Sequence, residues 1–296
     1  MHSARFSVAD RRLPLIALFA GGLAIGGSPI FVRLSEVDPL ATAFWRTALS
    51  LIPFLLFALL RQRQALGLPK NVTELRDLAF PGLFLAADLA LWHLSIRMTS
   101  VANATLLINL SPVFVTFASW ALFGTVITRR FLVGLAISVL GVAVLKSGGA
   151  NGFGGGHWLG DAFAILGAVF YAGYMLTLGQ ARNRFTTLQV MIWNSGVAAL
   201  AILPIALLTE QAIVPQSLHG WGIVTGLSMI SHVGGQAAII YALAYLPTAF
   251  SSLTLLLQPV VAAILGVVLL NEPLGWNGIL GGAGVLAGIL IARKAV

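Results

Sequence analysis

Ten apolar runs occupy most of this chain, and the connectors between them are too short to fold on their own. The runs are Leu13–Val32, Ala41–Leu60, Leu78–Ile96, Val101–Phe123, Phe131–Leu145, Leu159–Leu178, Leu188–Leu208, Gly220–Leu243, Phe250–Leu270 and Asn277–Ile291. Most approach the ~20 residues that a helix needs to cross a bilayer; the fifth and tenth are shorter and rich in glycine. Charged residues make up only 9% of the chain, against about 25% in a soluble domain, so this surface faces something other than water. The longest connector, Arg61–Asp77, is a basic amphiphilic link. The expectation is an all-α polytopic membrane protein. Arg5, Arg11 and Arg12 ahead of the first run give it the outward form of a signal peptide. That run is nevertheless of spanning length and has a counterpart at Leu159–Leu178, so it reads as a retained helix.

A repeat sets the plan of the chain. Trp92 to Pro112, "WHLSIRMTSVANATLLINLSP", returns 147 residues later as Ile239 to Pro259, "IIYALAYLPTAFSSLTLLLQP". Without a gap, Ala102, Leu106, Leu110, Pro112 and Val113 fall on Ala249, Leu253, Leu257, Pro259 and Val260, and Leu122, Gly134 and Gly141 fall on Leu269, Gly281 and Gly288. The prolines and glycines weigh most, because each constrains a helix as few other residues do. One five-helix unit is therefore expected twice, at residues 1–147 and 148–296. Five is odd, so the second unit enters the membrane from the opposite side. The predicted architecture is ten transmembrane helices arranged as two inverted five-helix repeats. Such a plan suits a secondary transporter, in which a site near the midplane is exposed to each side in turn.

Thirteen Lys and Arg residues fall on one side of this layout and three on the other (Arg33, Arg97 and Lys146). Positive charge collects on the cytoplasmic side, which puts both termini there. The net charge of +8 is spread between apolar runs rather than gathered in a patch, so nucleic acid is not an expected partner. With no cysteine there is no disulfide and no thiolate metal site.

Further marks are the small-residue turns Thr99-Ser100-Val101-Ala102 and Pro247-Thr248-Ala249, the mid-run Pro112 and Pro259, and "LLNEPL" at Leu269–Leu274 with its acid Glu272. To these add the closing "GGAGVLAGIL" and Arg46 in "FWRTALS". On these residues the chain resembles, over essentially its whole length, the EamA-type ten-helix branch of the drug/metabolite transporter superfamily. Within it the chain is most similar to the YddG-type exporters of aromatic and other neutral amino acids. The resemblance implies a bacterial inner-membrane protein that moves metabolites outward, and it leaves the substrate open. The first half departs from the pattern, with Thr125 where Glu272 has its equivalent.

Polar groups within hydrocarbon need partners or a water-filled cavity, so their positions point inward. Asp88 lies mid-run with Trp92 four residues on, hence on the same helical face. It reads either as an acid for a substrate ammonium or proton, or as an internal partner that fixes packing. His93 points about 100° away and reads as a titrating group or a packing histidine. His232 shares a face with Gln236 and Ser228, a stripe that suits a cavity wall. Trp92, Tyr171 and Tyr174 offer aromatic surface with a polar handle for a flat or amphiphilic substrate. Trp158, Trp221 and Trp276, at run ends, read as interface anchors.

Ser28, Asn103, Asn109, Ser251, Ser252 and Gln258 complete the candidate substrate site, with Pro29, Pro112 and Pro259 as hinge or gate positions. A proline frees the carbonyl four residues back, here Ile108 and Leu255. Such a carbonyl either meets a substrate amine or ion or marks a passive kink. Arg46 is expected to be mainly structural, snorkelling toward Glu36 or Asp38. Gly278, Gly282, Gly284 and Gly288 make small-xxx-small spacings, for packing within the chain or a dimer face.

No Gly-x-x-x-x-Gly-Lys-Ser/Thr run and no His-Glu-x-x-His motif occurs, so no catalytic residue, cofactor or metal is expected. Transport is then facilitated or ion-coupled, and the scarcity of buried acids favours facilitation. The expected partners are a small amino-acid-like substrate and the lipid bilayer, with the protein a monomer or weak homodimer. Four other readings compete, one of them a purely structural or scaffolding membrane protein, which would not need polar residues facing inward. A lipophilic-cation exporter would share the fold, whereas a nucleotide-sugar carrier would want lysines within the runs. An intramembrane serine protease would pair Ser28 with His93 or His232, against which stand the ten-helix plan and Pro29.

Overall fold

The computed structural model describes residues 12–61, 68–99, 101–147, 158–270 and 275–294, and all regular structure among them is helical. The first half holds α1 (Arg12–Gly26), α2 (Ser28–Leu34), α3 (Pro39–Arg61), α4 (Val72–Met98), α5 (Val101–Ile108), α6 (Ser111–Phe123) and α7 (Arg129–Ser147). The second holds α8 (Trp158–Arg182), α9 (Thr187–Thr209), α10 (Leu218–Gly226), a π-helix (Leu227–Gln236), α11 (Ala237–Ala242), α12 (Thr248–Thr254), α13 (Leu257–Leu270) and α14 (Trp276–Arg293). Among the described residues, eight helices are long and apolar enough to cross a membrane: residues 12–34, 39–60, 104–123, 158–182, 187–209, 218–242, 248–269 and 276–293. The chain is a multi-pass membrane protein. Helices α4 and α7 coincide with the other two expected runs but fall outside the eight. The first carries Glu74, Arg76, Asp77 and Asp88, and the second opens on Arg129 and Arg130.

Local chemistry sets the helix ends. Asn71 accepts from Glu74 N at 2.9 Å to start α4, and Thr186 with Gln189 forms a reciprocal capping box at α9. Gly124 closes α6 with φ 62°, in the left-handed region that favours glycine. The three hinge prolines do not kink continuous helices. Each stands at the start of a new one, after a turn at Gly27, at 109–110 or at 255–256. The expected free carbonyl at Leu255 is taken, because Gln258 N donates to it at 2.9 Å. The tightened turn thus satisfies the group that the proline would have orphaned.

Helix α14 lies on α7 at close range, and glycine is what permits it. A β-carbon added to Gly141 would come within 2.6 Å of Val285 N, and one on Gly134 within 2.6 Å of Gly288 O. Gly281 faces the backbone of Leu145 and Gly141, and Ser138 Oγ donates to Val285 O at 3.3 Å. Gly281, outside the expected small-residue spacing, is central here, while Gly282 turns to Val260 of α13. Elsewhere α4 packs along α8 and α9, and α1 along the π-helix and α11. The deepest apolar side chains, among them Met175, Leu178, Ile239, Ile240, Phe250 and Leu253, sit where α8, α11 and α12 meet. Leu140, Phe117 and Leu200 are exposed, as a surface facing lipid tails allows.

Three carboxylates strap the turn before α3 to the loop after α9. Glu210 accepts from Leu40 N and Ala41 N at 2.8 and 2.7 Å, at the positive end of α3. Asp38 accepts from Gln211 N and Ala212 N at 3.0 Å each. Glu36 takes Gln216 N, Ser217 N and the Ser217 hydroxyl. Trp45 Nε1 donates to Ile213 O at 2.8 Å and its ring meets Trp221 edge-on at 4.8 Å. Trp221 is therefore half-buried in this clasp, unlike the exposed Trp158 and Trp276.

Substituting Gly281→Ala forces α14 off α7 and lowers unfolding stability in detergent by about 1–3 kcal/mol, read from denaturant titration. Glu36 is held below the ordinary glutamate range, first by the Ser217 hydroxyl and then by backbone N–H groups of Ser217 and Gln216. A depressed acid contributes stability above its unfolded pKa and loses it as pH falls through the folded one. The protection of the Gln216 and Ser217 amides, measured as exchange relative to the unprotected rate at the same pH, is therefore high at neutral pH and falls in acid, and Glu36→Gln abolishes that fall.

Candidate functional site

Near the middle of the bundle, polar side chains from four helices and the π-helix converge. Helix α3 brings Arg46, α4 Asp88, α8 Tyr171 and Tyr174, α9 Asn194 and Ser195, and the π-helix His232. Asp88, Tyr174, Asn194, Ser195 and His232 are buried. Arg46 lies within electrostatic range of Tyr171, Tyr174 and His232. Both tyrosines are also within range of Asp88. Their rings meet at 5.8 Å and 57°, and the Tyr174 hydroxyl lies beside the Asn194 amide without closing a hydrogen bond.

The π-helix has no counterpart in the sequence reading, which treats 220–243 as regular helix. Ser228, Ser231, His232, Gly235 and Gln236 along it are all buried, so the stripe read from the sequence does face inward. Ser228 Oγ donates to Arg46 O at 2.9 Å, Ser231 Oγ donates to Ala24 O at 3.1 Å, and His232 Nε2 shares a 2.9 Å hydrogen bond with Ser195 Oγ. The stripe ties α1, α3 and α9 together. The histidine's partner is Ser195 and not Ser28, so of the two pairings a protease reading wanted, that of Ser28 with His232 is not formed, while the His93 side chain lies outside the described residues.

Within the cluster several polar atoms lack protein partners: Arg46 Nε, Asp88 Oδ1, the Tyr174 hydroxyl, and both Asn194 side-chain atoms. Buried polar atoms are almost always hydrogen-bonded, so this concentration marks a place built to meet something polar. Glycines let the helices approach closely beside it. A β-carbon on Gly167 would lie 3.6 Å from Asp88 Oδ1, and one on Gly82 2.8 Å from Asn194 O.

The remaining candidates are distributed otherwise. Trp92 is half-buried on α4, one turn beyond Asp88. Ser28 and Ser251 are buried with hydroxyls lacking a protein partner. Ser252 Oγ donates to Ala249 O at 2.9 Å, and Asn109 Nδ2 to Thr105 O at 2.6 Å, so both bond their own helices. Gln258 is half-buried where α13 begins, next to Gly26 of α1. His93 and Asn103 lie on α4 and α5, but their side chains, like Glu272, fall outside the described residues. Asp161 accepts from Thr99 Oγ1 at 2.6 Å.

Arg46 does not snorkel toward Glu36 or Asp38, whose carboxylates are occupied by the 211–217 backbone. It turns inward, and it is the residue that the sequence reading misplaced. Asn194 and Ser195 were missed altogether, although an Asn-Ser pair amid the run Leu188–Leu208 was a usable signal. A groove of about 570 Å³ between α6 and α7, lined by Val113, Phe117, Trp120 and Leu135, is apart from this cluster and mostly apolar.

Comparison with known proteins finds the sequence profile of the EamA-like transporter family at residues 12–147 and again at 158–293. An uncharacterised transporter of Archaeoglobus fulgidus is 25% identical over 94% of this chain and 95% of its own length. The pseudopaline exporter CntI of Pseudomonas aeruginosa is 27% identical over 64% of each chain. A protein named as a probable terminal-alkyne amino-acid exporter, from Streptantibioticus cattleyicolor, is 27% identical over 74% of each. One solved crystal structure superposes with a TM-score of 0.82 at 20% identity, covering 96% of this chain and 98% of that one. At that identity the match speaks for the fold alone.

Ser195→Ala strips His232 Nε2 of its partner in a dry environment and costs about 1–3 kcal/mol of unfolding stability. Adding His232→Leu returns part of that loss, which a double-mutant cycle on thermal or denaturant unfolding measures.

Proposed function

Since the chain belongs to the EamA-like transporter family, we propose that it exports small amphiphilic metabolites by alternating access, with neutral and aromatic amino acids as its cargo. The observation that carries this reading is the cluster of buried, unpartnered polar atoms contributed by α3, α4, α8 and α9. A transporter needs a polar site within the membrane, whereas a purely structural bundle gains nothing from leaving such atoms unsatisfied. The aromatic pair Tyr171–Tyr174 suits a ligand with an apolar side chain.

Packing supports the expected inverted repeat. At the 147-residue offset Gly134 corresponds to Gly281 and Gly141 to Gly288. Gly134 meets Gly288 and Gly141 meets Gly281, a reciprocal pattern of the kind a twofold axis generates. Ser138, which bonds Val285, corresponds to that very residue at the same offset. In this reading α4 and α7 complete ten spans. The protein sits in a bacterial inner membrane with both termini cytoplasmic, and the carboxylate clasp closes the outer face.

A lipophilic-cation exporter is the second reading, because Asp88 beside two tyrosines would suit a cation. It leaves the inward-facing Arg46 as a repulsive charge in the same site, which favours a cargo that also carries an anionic group.

Uptake by proteoliposomes of labelled phenylalanine, labelled leucine and a cationic dye, with and without a pH gradient, decides between these. Saturable phenylalanine flux is expected, lowered about threefold to tenfold by Tyr171→Ala in protein that still elutes as a folded species. Flux of the dye alone selects the second reading, and no saturable flux rejects both. Flux insensitive to the gradient excludes proton coupling.

A further inference from the structure

A guanidinium and a carboxyl group stand in the central cluster without pairing with each other. Among the described residues no ion pair joins Arg46 to Asp88; the ion pair of Arg184 with Asp77, at 2.5 Å, belongs to the surface. Instead Tyr171 and Tyr174 stand within electrostatic range of both groups. Asp88 is only 6% exposed with Oδ1 unbonded, and the half-buried Arg46 has its Nε buried and unbonded. A buried polar atom without a partner is costly, and more so when its group ionises. One molecule that carries an anion and a cation on neighbouring atoms supplies a partner to both at once.

The side chains suit that division of labour. A guanidinium presents a planar fork of N–H donors that matches a carboxylate. A carboxylate only accepts, and an ammonium only donates. At the 147-residue offset Arg46 and Asp88 fall on Trp193 and Gly235, so both poles come from the first half. The repeat therefore does not offer the ligand a second, reversed seat.

We infer that Arg46 and Asp88 form a two-pole clamp for a zwitterion, Arg46 holding the α-carboxylate and Asp88 the α-ammonium, with Tyr171 and Tyr174 flanking the ligand between them. This rests on the carrier reading and narrows its cargo to molecules bearing both charges. A lone amine leaves Arg46 uncompensated, and a lone acid leaves Asp88 so.

The test compares phenylalanine with phenethylamine, which lacks the carboxylate, and 3-phenylpropionate, which lacks the ammonium, on the full-length protein in proteoliposomes. The unaltered protein carries phenylalanine at least roughly tenfold faster than either fragment. Arg46→Gln lowers phenylalanine flux and removes a repulsion from phenethylamine, so the roughly tenfold preference between the two is lost. Asp88→Asn does the same relative to 3-phenylpropionate, and Arg46→Lys restores part of the preference. Variants that keep the tenfold preference for phenylalanine overturn the clamp, as do variants that slow all three compounds equally. Saturable flux of tetraphenylphosphonium with no preference among the three overturns the clamp and leaves the carrier standing; no saturable flux of any compound overturns both. Thermal stabilisation of the unaltered protein provides a readout that does not depend on the variants folding. Phenylalanine raises the melting temperature and the two fragments do not; equal shifts overturn the clamp.

Discussion

Polar atoms held inside the bundle without protein partners are the costliest feature of this fold, and the surrounding helices are arranged so that it persists. Arg46 and Asp88 project from separate helices toward a shared pair of tyrosines, while α4 packs along α8 and α9. The apolar belt around this centre keeps the dielectric low, which makes every unsatisfied atom there expensive. A bundle stable enough to bear that cost needs tight packing elsewhere. The glycine-lined contact of α7 with α14 and the carboxylate clasp at one end supply it.

The division between bracing and binding follows the same logic. Residues whose hydroxyls return to their own helix, such as Ser252, Thr254 and Thr116, have spent their donors locally. Those of the π-helix reach across to neighbouring elements and stitch them. Among the described residues, the buried atoms without partners are most concentrated around Tyr174. Polarity alone does not separate these three classes in a sequence; the destination of each hydrogen bond does.

What the sequence made legible is what depends on composition along the chain. Apolar runs locate the helices because desolvation acts residue by residue, and the capping residues mark where they begin. Prolines were only half readable. Pro29, Pro112 and Pro259 stand where helices restart, yet Pro53, Pro81 and Pro204 lie inside α3, α4 and α9, which continue past them. Whether the chain breaks at a proline depends on what can satisfy the displaced carbonyl, and that is a property of the turn in three dimensions. Arg46 was misjudged for a related reason. Its distance from the helix end was readable, but its direction around the helix was not, and the carboxylates it was expected to reach were already bonded. Gly281 was marked by the repeat but not as a packing residue, because small-residue spacing identifies a face without identifying its neighbour.

The π-helix at Leu227–Gln236 has a mechanical consequence. Each π turn accommodates more chain than an α turn, so the segment stores surplus residues between α10 and α11. Rewinding even one of them into α geometry would rotate everything beyond by about 100° without disturbing the anchored loop at 210–217. Ser228, Ser231 and His232 bond three different neighbours, so such a turn would exchange those attachments together rather than one by one. The winding of a single stretch is thereby coupled to how three other helices are held.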